Sequence, residues 1–145
     1  MPKCTDETVE FGRVGRRVVQ AAFDGGDIVS DGGVLLLKQV DERLGLTRAA
    51  ALAFGDDRRS ASVQHSVHSL LAQRIYALCC GHEDLNDHDR LREDVLMQTA
   101  LGRVDALASS PTLSRMETRA TRGQIWALHE VLVGQFIASH DRAPS

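Results

Sequence analysis

Residues 63–81, VQHSVHSLLAQRIYALCCG, carry the clearest structural signal in the chain. Apolar side chains recur there every three or four residues, which places them on one face of an α helix. Gly81 follows them and suits the positive φ that commonly ends a helix. The stretch predicts a helix that ends at Gly81. Its apolar stripe consists of Val63, Val67, Leu70, Leu71, Ile75 and Leu78.

The upstream segment predicts a second helix and a short hairpin. Ser30 or Asp31 can cap a helix over about residues 32–45, and Gly45 supplies its C-terminal stop. Residues 17–30, RVVQAAFDGGDIVS, begin with β-branched residues and then turn at Asp24-Gly25-Gly26, where glycine takes up positive φ at little cost. We therefore predict a β-hairpin over residues 17–30, with an exposed edge.

Downstream, capping residues divide the chain into further helices. Asp84 or Asn86 can cap a short helix, and Asp94 can cap another that Gly102 stops. A final amphipathic helix is predicted over about residues 123–139, with its apolar face made of Ile125, Leu128, Leu132 and Phe136. The predicted fold is mainly α: about five to six helices with a small N-terminal β-hairpin.

Length and composition indicate one domain. A chain of 145 residues has room for a single core. We expect a flexible N-terminus over residues 1–16, a helical domain over 17–140 and a short C-terminal tail over 141–145. The polar N-terminus lacks a secretory signal, and no apolar run approaches the ~20 residues that cross a bilayer. We expect a cytoplasmic protein that makes no membrane contact.

The chain has three cysteines, Cys4, Cys79 and Cys80, and two of them are adjacent. Adjacent cysteines are poorly placed for a disulfide framework, so we interpret all three as free thiols in a reducing compartment. The formal charge of −3 argues against a freestanding, salt-driven nucleic-acid binder. Any contact with DNA must therefore come from a local basic cluster.

Residues 79–90, CCGHEDLNDHDR, combine two thiols, two imidazoles and four carboxylates. The stretch contains no Cys-x-x-Cys pair and no EF-hand order of ligands, so its spacing does not favour zinc or calcium. Acidic residues at helix starts stabilise the positive end of the helix dipole. We interpret the stretch as a junction rich in helix caps, with His82 and His88 as polar surface or capping residues.

Residues 108–122, ASSPTLSRMETRATR, form the candidate nucleic-acid-binding segment. Pro111 suits the first turn of a helix that carries hydroxyls at its start and an arginine at each later turn. Such a helix could enter a DNA groove, and the preceding helix makes helix-turn-helix geometry possible, although a solvated face explains the same residues. The candidate DNA contacts are Ser110, Thr112, Ser114, Arg115, Arg119 and Arg122.

Three segments, in order and spacing, resemble the N-terminal part of bacterial insertion-sequence transposases of the group-1 DDE domain family. They are FDGGDIVSDGGVLLLKQVDERLGL at 23–46, the run at 65–94 and ASSPTLSRMETR at 108–119. The central run is the most specific, with its Glu83-Asp84, Asn86-Asp87 and Asp89-Arg90-Leu91-Arg92 pattern. His82 stands where the family often has tyrosine, and Glu93-Asp94-Val95 where it often has His-Asp-Pro.

The resemblance implies an enzyme that cuts and joins DNA, with three carboxylates on a ribonuclease-H-like core that bind divalent metal, usually magnesium. The family's first catalytic aspartate is expected on a strand beyond residue 145. We therefore assign no catalytic residue, metal ligand or cofactor here, and Asp84, Asp87 and Asp89 are not given that role. Alone, this chain is expected to be inactive.

The resemblance implies that the parent transposase binds transposon-end DNA during transposition, a form of DNA recombination. An alternative is a truncated remnant that acts only through protein contacts, as a homo-oligomer or with full-length transposase. Its contact surfaces would be the final helix and the hairpin edge. A third hypothesis, a small metalloprotein built on residues 79–89, predicts stoichiometric zinc.

Overall fold

The computed structural model describes residues 8–22, 32–58 and 63–140. In chain order the elements are β1 Thr8–Val14, β2 Arg17–Ala22, α1 Gly33–Leu44, α2 Leu46–Phe54, α3 Val67–Cys79, a 3₁₀ turn Leu85–Asp87, α4 His88–Leu91, α5 Val95–Ala100, α6 Ser110–Arg119 and α7 Arg122–Ala138. The prediction of a mainly α fold with a small N-terminal hairpin is confirmed. The described segments hold seven α helices, against the five to six expected.

Helix α3 is the centre of the fold. Ser66 caps its start by accepting a hydrogen bond from the Ser69 amide at 3.1 Å. The helix supplies buried residues to every hydrophobic cluster of the described core: Val67 and Leu71 beside α2, Leu70 beside α6, and Tyr76 and Ala77 in the main cluster. The other buried members of the main cluster are Val34, Leu35, Leu91, Met97, Ala100 and Leu107.

The predicted stop at Gly45 is confirmed, but a helix that we did not predict follows it directly. Gly45 has φ 67°, in the left-handed region, and donates its amide to the Asp41 carbonyl. Because α2 begins one residue later, its first turn needs an acceptor from elsewhere in the chain. Asp41 of α1 supplies this acceptor through its side chain, which binds the Thr47 amide at 2.8 Å.

The Asp41 carboxylate accepts hydrogen bonds from two further donors. The hydroxyls of Thr47 and Tyr76 both donate to its Oδ2 atom, the latter over 2.9 Å. Burial, followed by the bond to Asp41, raises the pKa of the Tyr76 hydroxyl well above its ordinary value. One carboxylate thus ties α1 to the start of α2 and to the middle of α3.

The hairpin lies upstream of its predicted position. Strand β1 pairs with β2 in antiparallel register, from Thr8 opposite Ala22 to Val14 opposite Arg17. The observed hairpin turns at Gly15, which has φ 58°. The predicted turn at Asp24-Gly25-Gly26 lies outside the described residues, together with Ser30 and Asp31. The strand β1 falls within the stretch 1–16 that we expected to be flexible. Its Phe11 packs against the main core cluster.

The downstream caps agree with the sequence. The Asp84 side chain accepts from the Asn86 amide at 2.9 Å, and the Asp94 side chain accepts from the Met97 amide at 2.8 Å. Gly102 has φ 68°, as expected for a residue that follows a helix end. Within the described part of the chain, no helix is both long enough and apolar enough to cross a bilayer.

The prediction that the final helix is amphipathic is wrong. The apolar residues of α7 lie on all sides of the helix. Thr121 and Gln124 form a capping box at its start. Two side-chain amides then join the helix to both ends of α2: Gln124 donates to the Phe54 carbonyl at 2.7 Å, and Gln135 donates to the Leu44 carbonyl at 3.0 Å. No residue of α7 is buried. Its exposed large apolar side chains are Ile125, Trp126, Leu132, Val133, Phe136 and Ile137.

Replacement of Asp41 by alanine should destabilise the fold. Three donors lose their acceptor in this variant, two of them on the buried residue Thr47, and hydrogen bonds to a charged partner contribute about 1.5–3 kcal/mol each. We expect the free energy of unfolding, measured by urea denaturation, to fall by roughly 3 kcal/mol. The matched control is Glu42→Ala, an exposed position whose loss should cost less than about 0.5 kcal/mol. Equal effects of the two variants would contradict this role of Asp41.

Candidate nucleic-acid interface

Helix α6 begins at the predicted position. Ser109 precedes its first residue, Ser110, and Pro111 lies in the first turn. Ser109 Oγ and Thr112 Oγ1 are 3.2 Å apart. Residues 101–109 separate α6 from α5, whereas a helix-turn-helix motif joins its helices by a turn of roughly three or four residues. The suggested helix-turn-helix arrangement of these two helices is therefore wrong.

A buried glutamine on α3 fixes the chain that leads into α6. Gln73 is fully buried, and its amide pairs with both backbone groups of Ala108. Gln73 Nε2 donates to the Ala108 carbonyl at 2.9 Å, and the Ala108 amide donates to Gln73 Oε1 at 3.0 Å. The side chain thus satisfies two backbone groups that burial would otherwise leave unpaired.

His88 belongs to the same buried network, so its predicted role as a surface or capping residue is wrong. Its ring is fully buried and lies against α3, with Nδ1 at 3.1 Å from Gln73 Nε2. Because Gln73 Nε2 is a donor, Nδ1 acts as the acceptor and the ring carries its proton on Nε2. Burial, followed by the positive charge of Arg74, lowers the pKa of His88, which favours the neutral ring.

The rest of the 79–90 stretch also supports α6. Asp89 Oδ1 accepts from the backbone amide of Ser110 at 3.0 Å, which places a carboxylate at the first residue of the helix. Arg74 of α3 binds the carbonyls of His82 and Glu83, at 3.3 and 2.8 Å, and the carboxylate of Glu117 at 2.8 Å. The stretch that carries the family pattern therefore forms the support of α6.

One face of α6 lines a groove of about 1050 Å³, which we call the α6 groove. Thr112, Arg115, Met116 and Arg119 recur at helical spacing and form one wall. The opposite wall comes from residues 54–58 and 63–65, and the start of α7 closes one end with Thr121 and Gln124.

Three of the six predicted contact residues meet in the α6 groove: Thr112, Arg115 and Arg119. Arg115 also donates to the Thr112 hydroxyl at 3.1 Å. The other three lie elsewhere. Ser110 is buried, Ser114 is half-buried away from the groove-lining residues, and Arg122 is exposed at the first residue of α7. The burial of Ser110 and the bond from its amide to Asp89 position the start of α6.

The sequence analysis missed Arg58 and His65, which complete the groove. Arg58 forms a two-pronged ion pair with Asp56, with both N···O distances at 2.7 Å, and also donates to the His65 carbonyl at 3.1 Å. The bonds from Arg58 lower the pKa of Asp56. Burial, followed by the charges of Arg103, Arg92 and Arg58, lowers the pKa of His65. The sequence around Arg58 carries no local signal of this convergence.

The family model for the transposase DDE domain, group 1, matches residues 11–145. The chain belongs to this family. No curated protein and no solved structure matches it significantly.

Transposases of this family generally use a divalent metal, but the acidic residues of the 79–90 stretch do not fit that role. Asp84 caps the 3₁₀ turn, Asp89 holds the Ser110 amide, and Asp87 lies 3.8 Å from His82 Nδ1. Among the described residues no group of three or more His, Cys, Asp or Glu side chains is arranged to hold a metal ion. We derive no catalytic step from them.

The lowered pKa of His88 predicts a pH-dependent stability. The unfolded ring titrates near pH ~6.5, and the folded ring binds its proton only at lower pH. The neutral His88 ring therefore makes its full contribution to the free energy of unfolding above about pH 6.5. This contribution falls as the pH decreases below that value. The slope is at most about 1.4 kcal/mol per pH unit for one proton.

His88→Asn keeps an acceptor near the position of Nδ1 but cannot titrate. Urea denaturation at a series of pH values should therefore show a shallower slope below about pH 6.5, with the slope that remains coming partly from His65. His129→Asn changes an exposed histidine on α7 and should keep the wild-type slope. An unchanged slope in His88→Asn would show that this histidine is not the titrating group.

Proposed function

We propose that this chain is a non-catalytic, DNA-binding part of a DDE transposase that contacts transposon-end DNA through the α6 groove. The observation that carries the proposal is the position of Arg115 and Arg119. Both are exposed, line the groove one helical turn apart, and form no ion pair within residues 8–22, 32–58 and 63–140. Guanidinium groups free of carboxylates are suited to bind phosphate oxygens.

The support beneath α6 favours phosphate contacts along its side and not at its N-terminus. Asp89 already accepts the Ser110 amide and opposes a second anion at the positive end of the helix dipole. Arg115 and Arg119 lie further along the helix, on the wall of the groove. We therefore assign Arg115 and Arg119 to the DNA backbone and Thr112 to an adjacent polar contact. Ser110, Ser114 and Arg122 lie outside the groove lining, and we assign them no contact within it.

The electrostatics of the α6 groove imply a local, salt-sensitive contact. The chain carries a formal charge of −3, and Asp56 and Asp57 lie on the wall opposite Arg115. Arg58 neutralises Asp56 by direct pairing, which reduces the repulsion of an approaching phosphate. Since few arginines remain uncompensated, the salt slope of binding should correspond to a small number of phosphate contacts.

The non-catalytic assignment rests on how the described carboxylates are used. Asp84 caps the 3₁₀ turn and Asp89 accepts the Ser110 amide, so both carboxylates have roles in the fold. We propose that strand cleavage and transfer require a ribonuclease-H-like core elsewhere in the transposase. In that arrangement this region positions DNA for the core.

A second candidate function is supported by a separate observation, the exposed apolar side chains of α7. Helix α7 exposes Trp126 by 65%, Phe136 by 54% and Ile137 by 65%. Exposed apolar patches of this kind mark sites of protein contact. In this alternative the chain acts only by pairing with full-length transposase, and the α6 groove has no role in DNA binding.

Arg115→Ala/Arg119→Ala should weaken DNA binding in a gel-shift assay with duplexes taken from both ends of the encoding element. Two lost phosphate contacts should make the slope of log K against log salt shallower by about 1.8. Arg90→Ala removes an exposed arginine of α4 outside the groove and should leave affinity and slope close to wild type. If the double variant binds with unchanged affinity and slope, the assignment of these arginines is wrong.

The α7 alternative predicts that the chain co-purifies with tagged full-length transposase after nuclease treatment. Trp126→Gln/Phe136→Gln should abolish this recovery. Truncation of an aromatic anchor at an interface often costs about 2 kcal/mol or more of binding free energy. Glu130→Gln, at an exposed polar position of the same helix, is the matched control. A monodisperse monomer that ignores the intact enzyme would eliminate this alternative.

A further inference from the structure

A second cavity lies beside the start of α3, and we call it the α3 pocket. It has a volume of about 440 Å³ and is bounded by α1, the start of α2, the first turn of α3 and the turn at Leu101-Gly102. Four basic side chains line it: Lys38, Arg48, His68 and Arg103. No carboxylate other than Asp41 and Glu42 lines the pocket within the described chain.

Both of these carboxylates already have partners. Asp41 accepts from the Thr47 amide, the Thr47 hydroxyl and the Tyr76 hydroxyl. Glu42 lies 3.9 Å from Lys38 Nζ, one turn away on α1. Arg48 and Arg103 form no ion pair in the described ranges, so they are the uncompensated charges of the pocket.

The α3 pocket also contains donors without acceptors. Ser69 Oγ and Arg103 Nε are buried, and neither has a hydrogen-bond partner among the described residues. A buried donor left unpaired is costly, so these two atoms would both gain from an acceptor in the pocket. The pocket therefore provides positive charge and hydrogen-bond donors, which together suit an oxyanion.

The α3 pocket adjoins the α6 groove through the segment before α3. His65 lines the groove, and the next residue, Ser66, lines the pocket. His65 lies within the electrostatic influence of Arg103 from the pocket and of Arg58 from the groove. The two cavities thus meet at the start of α3, between Arg103 on one side and Arg58 on the other.

We propose that the α3 pocket is a second phosphate site, in which Arg48, Arg103 and Ser69 hold a backbone phosphate of the same DNA that occupies the α6 groove. The inference rests on the proposed function, since it extends the DNA path from the groove across the start of α3. Lys38 lines the pocket as a further donor, whereas His68 Nε2 already pairs with the Thr47 hydroxyl at 3.0 Å. Backbone contacts carry no base preference, so this site adds affinity and fixes the direction of the duplex.

The test compares Arg48→Gln/Arg103→Gln with Arg115→Ala/Arg119→Ala, by fluorescence anisotropy on transposon-end and shuffled duplexes over a range of salt. We expect the pocket variant to make the salt slope shallower by about one for each arginine, equally on both duplexes. Arg16→Gln/Arg90→Gln removes two exposed arginines outside both cavities and should retain the wild-type slope. Thermal unfolding of every variant verifies that it folds.

The outcomes separate this inference from the proposed function. If the wild type does not bind DNA, or if its binding ignores Arg115 and Arg119, the proposed function fails first. If Arg115→Ala/Arg119→Ala weakens DNA binding while the pocket variant keeps the wild-type salt slope, the proposed function stands and the second phosphate site is refuted. Inorganic phosphate at matched ionic strength gives a further readout. A thermal stabilisation that requires Arg48 and Arg103, together with unchanged DNA binding, would assign the pocket to a free anion and overturn DNA as its ligand.

Discussion

The pairing of Gln73 with Ala108 is the interaction on which the arrangement of the candidate site depends. One amide side chain, fully buried on α3, bonds both backbone groups of a residue that is distant in sequence and close to the start of α6. His88 packs against that amide, and Asp89 binds the amide of Ser110 two residues after Ala108. The direction of α6, and hence the side on which its arginines emerge, follows from these buried bonds.

The distribution of charge explains how an acidic chain can present a basic surface. Asp84 and Asp89 of the 79–90 stretch are used at helix starts, and Asp87 lies beside His82, on the supporting side of α6. Arg115 and Arg119 lie on another side of the same helix, away from these partners. Net charge describes the average surface, whereas recognition depends on which charges remain uncompensated at one place.

Much of the fold follows from local sequence signals, because caps and glycine stops act over a few residues. Asp84, Asp94, Gly45 and the start of α6 were all predictable on this basis. The features that depend on distant partners were not. Asp41 capping α2, the burial of His88 and the entry of Arg58 into the groove each need contacts between separate segments. The groove itself was therefore only half predictable, from the spacing along α6.

The attachment of α7 has a consequence for the dynamics of the chain. The helix is held by glutamine amides at the two ends of α2 and by the packing of Leu128, and none of its residues is buried. Its opening exposes little new core, so it needs less free energy than the unfolding of α3. Amide hydrogens of α7 should accordingly exchange with solvent as a separate cooperative unit, faster than those of α3. Helix α7 can thus open while the core around α3 stays folded.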